Sequence, residues 1–205
     1  MLTSSLLAFL LTAFLIELTP GPNMAFLIMV SAVEGRKSGL AMTAGIALGL
    51  TIIGFGAVLG LAAIISASPF LFQSLRWAGA LYLVWLAAEA WMSANEVSPG
   101  KVATNHSAQQ LFRRGMITNL LNPKAGLFFV AILPGFTDPA IAILPQALTL
   151  TVGYVTIATL VHLIIVMLAG QANGLVSSES RKRIVRKCFA VILLGIAIWF
   201  LSMSQ

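Results

Sequence analysis

Two charged residues, Glu17 and Lys124, stand inside long apolar stretches of this 205-residue chain, each beside a proline-containing motif. A charged side chain at the centre of a bilayer costs ~2.5 to 3.5 kcal/mol on insertion scales, so such a residue is by default a functional candidate. We expect the two to lie close enough to interact, with Lys124 available to a carboxylate and Glu17 to an amine or a proton. A purely structural ion pair is the alternative.

The two motifs supply further candidate binding residues. The first reads Thr19, Pro20, Gly21, Pro22 and Asn23, and the second reads Asn122, Pro123 and Lys124. Proline removes a backbone donor and clashes with the preceding turn, so a helix is expected to break at each motif. The N–H groups freed at such a break suit a carboxylate and the freed carbonyls suit an ammonium, so an amino acid fits both. Ordinary proline kinks between packed helices are the alternative.

The composition places these motifs in a membrane. Apolar residues make up 59% of the chain, charged residues only 9%, and the mean hydropathy is +0.99, whereas soluble domains carry ~25% charged residues. The net charge of +6 comes from basic clusters between apolar runs, which indicates membrane topology rather than nucleic-acid binding. One cysteine, two histidines and the absence of hydrolase motifs exclude a disulfide and argue against a metal site, a cofactor and an enzyme.

Six spans follow when ~20 apolar residues are required for each crossing of a bilayer. We predict them near residues 6–33, 39–66, 70–92, 115–133, 143–170 and 188–202. The first is read as a retained span because it contains Glu17 and is too long for a secretion signal. The connections after spans one, three and five carry ten of the twelve basic residues, which predicts that they are cytoplasmic and that both termini are periplasmic.

The chain therefore divides into two three-helix halves, residues 1–93 and 115–205, joined by a cytoplasmic linker at 94–114. Since three is an odd number, the second half is inverted relative to the first, as in many secondary transporters. The fold class predicted is an all-α membrane protein of two inverted repeats, with spans one and four broken near mid-membrane.

Other intramembrane residues have weaker assignments. His162 in span five is a second candidate for proton coupling, although a hydrogen-bonded packing role is the commoner one. Glu89 is expected to anchor span three by snorkelling to the membrane surface or by meeting a basic loop. A stripe of glycines on span two predicts that another helix approaches closely; it consists of Gly45, Gly49, Gly56 and Gly60.

Several segments in this order resemble one known family. They are residues 19–22 in span one, 34–39 and 45–49 at span two, 79–83 in span three, and 122–125 followed by Phe128 and Phe129 in span four. Across nearly the whole chain the sequence is similar to the lysine-exporter (LysE/RhtB) superfamily of bacterial amino-acid efflux proteins. The resemblance implies a six-helix inner-membrane exporter that is coupled to the proton gradient, with a homodimer left open, and marks the proline motifs and Lys124 as central.

One difference from the family pattern narrows the range of expected substrates. Many relatives carry an acidic residue just after the second glycine of span two, where this chain has Leu50 and Thr51. Glu17 is then the carboxylate expected to couple protons, and a neutral amino acid resembling threonine, homoserine or leucine is the expected cargo. A divalent-metal exporter of the same superfamily and a non-transporting membrane assembly protein are the alternatives.

Overall fold

The computed structural model describes residues 2–19, 21–60, 68–95, 106–138, 140–172 and 178–202. Within these ranges every regular element is helical, as the sequence predicts. The α-helices in chain order are α1 (Leu2–Leu18), α2 (Pro22–Glu34), α3 (Arg36–Val58), α4 (Pro69–Asn95), α5 (Ala108–Leu120), α6 (Pro123–Leu127), α7 (Ile143–Gln171) and α8 (Glu179–Ser202). A π-helical segment (Phe128–Ile132) and a 3-10 turn (Leu133–Phe136) follow α6 directly.

The first proline motif separates α1 from α2, and the two helices are bent by 60° at the break. Gly21 has an extended backbone at the N-cap of α2, with φ −153° and ψ 178°. Pro22 is the first residue of α2, where its missing N–H removes no hydrogen bond that the helix needs. Pro20 lies outside the described residues.

The second proline motif separates α5 from α6. Asn122 is extended at the N-cap of α6, and its side-chain oxygen accepts a hydrogen bond from the backbone N–H of Lys124 at 3.1 Å. Pro123 is the first residue of α6, as Pro22 is of α2. Both predicted helix breaks are therefore present, and each is followed by a helix that begins on proline.

Two helices begin earlier than the spans predicted for them, because basic residues assigned to loops are helical. Helix α5 begins at Ala108 rather than at residue 115: Ser107 and Gln110 exchange side-chain to backbone hydrogen bonds of 2.9 and 3.2 Å that cap its first turn. Helix α8 begins at Glu179 rather than at residue 188. Lysine and arginine are good helix formers, so charge alone does not end a helix. Residues 61–67, 96–105 and 173–177, which include parts of the predicted turns and linker, lie outside the described residues.

Packing brings both halves of the chain together. Helix α3 packs against α5 and α7, α4 packs against α8, and α7 packs also against α1 and α2. Two clusters of buried apolar side chains result, one containing Leu27, Met42 and Leu193, the other containing Phe9 and Phe128. Large apolar side chains are exposed all along the helices, for example at Leu7, Leu81, Leu160, Ile164 and Ile198, as expected where lipid is the solvent.

Two of the described helices, α3 and α7, are long and apolar enough to cross a membrane individually. The bent pair formed by α1 from Leu6 and α2 provides a third crossing if it counts as one span. The described chain is thus an all-helical protein whose apolar helices are compatible with a membrane.

Half of the predicted glycine stripe on span two forms a close helix contact within the chain. A Cβ atom at Gly45 would run into the backbone carbonyl of Phe112 in α5, and one at Gly49 would lie 2.9 Å from the carbonyl oxygen of Met116. From the other side, a Cβ atom at Gly115 would collide with a backbone carbonyl of α3. The partner helix of this stripe is therefore α5.

The last glycine of the predicted stripe does not lie on the helix. Gly60 lies beyond the end of α3, and its φ of 87° suits a turn rather than a helix contact. Among the described residues, no atom lies within 4 Å of its ideal Cβ position. Gly56 is partly exposed. Gly54, which the predicted stripe omits, packs instead against Thr151 and Phe129.

Candidate functional site

Glu17 is the centre of the buried polar cluster. It lies one residue before the end of α1 and is only 6% exposed. Its Oε1 accepts a hydrogen bond from the Tyr154 hydroxyl at 2.6 Å. Its Oε2 lies 3.7 Å from Lys124 Nζ and 3.7 Å from His162 Nε2. The predicted proximity of Glu17 and Lys124 is confirmed, and a phenol and an imidazole complete the cluster.

Lys124 connects the two helix breaks. As the second residue of α6, it extends toward the first motif, and its Nζ donates a hydrogen bond to the Thr19 carbonyl at 3.0 Å. An ideal Cβ atom at Gly21 would lie 3.7 Å from Lys124 Cδ, so the lysine stem runs past the glycine between the prolines. The carbonyl left free where α1 ends is thereby paired with an ammonium from the other half of the chain.

Tyr154 is a site residue that the sequence analysis missed. Its ring stacks on Phe128 with centroids 3.7 Å apart and meets the edge of Phe129 at 5.3 Å, which fixes the direction of its hydroxyl. Tyr154 and His162 are eight residues apart on α7, so they lie on the same face of the helix. That spacing, with a carboxylate predicted nearby, is the signal that could have identified Tyr154.

His162, the second candidate for proton coupling, lies in the Glu17 cluster and is 3% exposed. The sequence placed it on span five without a partner, and the structure provides Glu17. Its role in proton transfer stays a prediction.

The asparagine candidates have defined contacts. Asn122 caps α6, as described above. Asn23, the second residue of α2, donates from Nδ2 to Oδ1 of Asn119 at 2.6 Å. Asn119 lies in the last turn of α5 and was absent from the predicted site. The Thr19 side chain returns to its own helix, where its hydroxyl donates to the Leu15 carbonyl at 3.4 Å, so Thr19 reaches the site through its backbone.

A second polar cluster lies at the other end of α2. The backbone N–H of His106 donates to Glu34 Oε2 at 3.2 Å, its Nδ1 lies 2.7 Å from Glu34 Oε1, and its Nε2 lies 3.7 Å from Glu89 Oε1. Arg114 donates to Glu89 Oε1 at 2.6 Å, so Glu89 meets a basic residue, although this residue lies in α5 rather than in the predicted loop. The hydrogen bond with Glu34, and then that with Glu89, raises the pKa of His106 from 6.5 to about 9.

The buried cluster is suited to binding an ionic ligand or a proton. It contains a carboxylate, an ammonium, an imidazole and a phenol, held at the junction of two interrupted helices. Within the described ranges, no group of three or more His, Cys, Asp or Glu side chains could hold a metal ion. Two interrupted helices around a buried ion pair are typical of membrane transport proteins.

Comparison with known proteins agrees with that class. The chain belongs to the LysE type translocator family, whose model matches residues 14–204; it is a multi-pass membrane protein. It is 30% identical to a homoserine/homoserine lactone efflux protein of Salmonella typhimurium, over 91% of each chain. It is 34% identical to a leucine efflux protein of Klebsiella pneumoniae over 71% of this chain and 72% of that one. No solved structure gives a significant match.

Proposed function

We propose that this protein is a secondary-active exporter of neutral amino acids across a bacterial inner membrane, driven by the proton gradient. The single observation that carries the proposal is the ion pair between the buried Glu17 and the partly exposed Lys124, which joins two helix breaks contributed by different halves of the chain. Relatives along most of the sequence bear the names of homoserine and leucine efflux proteins, which supports an amino acid as the cargo.

The site supports binding of a zwitterion by exchange of partners. A substrate carboxylate would take Lys124, while the substrate ammonium would take the Glu17 carboxylate and the Thr19 carbonyl that Lys124 releases. Each buried charge would then keep an opposite partner throughout, which matters because an unpaired buried charge is strongly destabilising. Since the zwitterion adds no net charge, the balance of the site is unchanged. A cationic amino acid would add a positive charge to the site, so a neutral amino acid is favoured.

Protonation of Glu17 would break the same ion pair by neutralising the carboxylate, whereas substrate breaks it by binding both charged groups. A neutral carboxyl no longer holds the Lys124 ammonium, so proton binding and substrate binding would compete for one group. His162 and Tyr154 flank the carboxylate and are placed to deliver or remove the proton. Each charge that crosses 100 mV is worth ~2.3 kcal/mol, which is enough to drive accumulation by roughly fiftyfold per 100 mV.

The packing of the helices supports an inverted repeat of residues 1–93 and 115–205. If span one corresponds to span four, two to five and three to six, the contact of α3 with α5 corresponds to the contact of α7 with the α1–α2 pair. The exchange of spans two and five leaves the α3–α7 contact unchanged, and the exchange of spans three and six leaves the α4–α8 contact unchanged. Such exchange is expected of a pseudo-two-fold axis in the membrane plane, around which alternating access proceeds.

Contacts between connections support the proposed orientation. Glu34, after span one, binds His106, which precedes span four. Arg36 donates to the Met167 carbonyl near the end of span five at 3.5 Å. The odd-numbered connections therefore meet at one end of the protein. The basic residues they carry would face the cytoplasm, with both termini periplasmic.

Transport by purified protein tests the proposal. Proteoliposomes loaded with labelled amino acids and subjected to a pH gradient should release a neutral amino acid, and Glu17→Gln and Lys124→Ala should each lower the rate by at least tenfold. Lys37→Ala, which removes an exposed lysine, should transport normally. Transport that is insensitive to both site substitutions would remove the site assignment. Failure to move any amino acid would favour a non-transporting assembly protein.

A further inference from the structure

The amides of Asn23 and Asn119 form a bridge between the two halves directly beside both helix breaks. Asn23 follows the first break by one helical residue, and its Nδ2 donates to Asn119 Oδ1 at 2.6 Å. Asn119 adjoins the second break, where its backbone carbonyl accepts a hydrogen bond from the Asn122 N–H at 2.9 Å. This amide bridge is thus attached to the same two segments that position Glu17 and Lys124.

Each amide in the bridge has one hydrogen-bonding atom to spare. Within the part of the chain that the structure describes, Asn23 Oδ1 and Asn119 Nδ2 are buried without a hydrogen-bond partner. The residues are 7% and 1% exposed. Buried polar groups in native proteins are almost always paired, so an unpaired donor and an unpaired acceptor side by side call for an explanation.

The surroundings hold the bridge in place. An ideal Cβ atom at Gly49 would lie 3.1 Å from Asn119 Cβ and 3.2 Å from its Nδ2, so α3 packs directly against this amide. The side chain of Asn119 is therefore confined, and its spare donor has a fixed direction. A rigid donor and acceptor pair of this kind discriminates among ligands by hydrogen bonding, since a ligand without matching groups leaves both atoms unpaired.

We infer that Asn119, together with Asn23, determines specificity by binding the side chain of the transported amino acid. This rests on the proposed function. The spare acceptor and donor match a group that both donates and accepts one hydrogen bond, and a hydroxyl is the simplest such group. The amides carry no charge, so a charged side chain would be buried beside them without a counter-ion. The preferred cargo is therefore a neutral amino acid with a side-chain hydroxyl, held at its other end by Lys124 and Glu17.

Threonine and valine test the inference, because they have nearly the same shape and differ by one hydroxyl. Proteoliposomes containing the wild-type protein should release threonine at least tenfold faster than valine. Asn119→Leu should slow threonine release more than valine release and so bring the two rates within about threefold of each other. Thr118→Val is the matched control: it removes a buried neighbouring hydroxyl that bonds to its own helix at the Arg114 carbonyl, and it should keep the preference for threonine.

The outcomes separate this inference from the proposed function. Equal rates for threonine and valine in the wild type, or an undiminished preference in Asn119→Leu, overturn the inference while leaving amino-acid export intact. Failure to release any amino acid overturns both. Should Asn119→Leu not assemble, thermal unfolding of the wild-type protein decides: a larger rise in Tm with threonine than with valine supports the inference, and equal rises overturn it.

Discussion

Replacing His106 by glutamine removes an ionisable ring from the contact between the start of the second half and the end of α2. In the wild type, His106 lies between the carboxylates of Glu34 and Glu89, and Arg114 binds the latter. Glutamine can still donate one hydrogen bond but carries no charge. The substitution therefore isolates the contribution that the protonated ring makes to stability.

The magnitude follows from the pKa of His106, which rises from 6.5 to about 9 on folding, chiefly through its hydrogen bond with Glu34. A rise of this size corresponds to ~3 kcal/mol. Since solvent reaches 27% of the side chain, screening reduces the expected contribution to ~2 kcal/mol. Because the folded-state pKa is the higher one, the stabilisation is complete below pH 6.5, declines above it, and is lost as the pH rises through about 9.

Thermal unfolding in detergent between pH 6 and pH 9.5 measures this loss. For a chain of this size ~2 kcal/mol corresponds to roughly 4 to 8 °C in Tm. The wild type should lose that much more than His106→Gln across the range, and the two proteins should converge at the alkaline end. Lysines and other groups titrate in both proteins, so their effects cancel in the comparison. Parallel curves for the two proteins would refute the reasoning.

Three further predictions concern packing and the buried cluster. Gly115→Val should prevent assembly of the folded protein, because its Cβ atom collides with a backbone carbonyl of α3, whereas Gly195→Ala, with open space around it, should purify normally on size exclusion. Tyr154→Phe should lower the free energy of unfolding by about 1.5 to 3 kcal/mol, measured by chemical denaturation, since it removes a hydrogen bond to a carboxylate. Lys124→Met alone should lower Tm more than Lys124→Met combined with Glu17→Gln, because only the single substitution leaves a buried carboxylate without its cation; the reverse order would contradict the pairing.

The sequence predicted the features that depend on residue type. Prolines at 20, 22 and 123 located both helix breaks, and the cost of burying isolated charges predicted that Glu17 and Lys124 would meet. The all-helical fold class followed from apolar runs that are long enough to cross a membrane. These inferences succeed because each concerns a local rule or a large free-energy term that few arrangements satisfy.

Features that depend on tertiary packing were missed. Tyr154 and Asn119 are uncharged residues outside both proline motifs, and their importance comes from neighbours supplied by distant segments. Helices α5 and α8 start before their predicted spans because arginine and lysine can continue a helix as readily as they can populate a loop. Gly60 was assigned to a contact by helical spacing, although α3 ends before that spacing reaches it.

The wide turn at Phe128–Ile132 has a consequence for how span four tolerates changes in length. A π-helical turn accommodates one extra residue within an α-helix, and each residue of an α-helix advances the side-chain direction by about 100°. Deleting one residue here would restore regular helical hydrogen bonding and would bring the buried side chains of Phe128 and Leu133 to the i, i+4 spacing that places them on one helix face. Both side chains could then remain in the interior, so the π-helical turn lets this segment lose one residue, whereas a deletion within a regular α-helix turns the side chains that follow by about 100°.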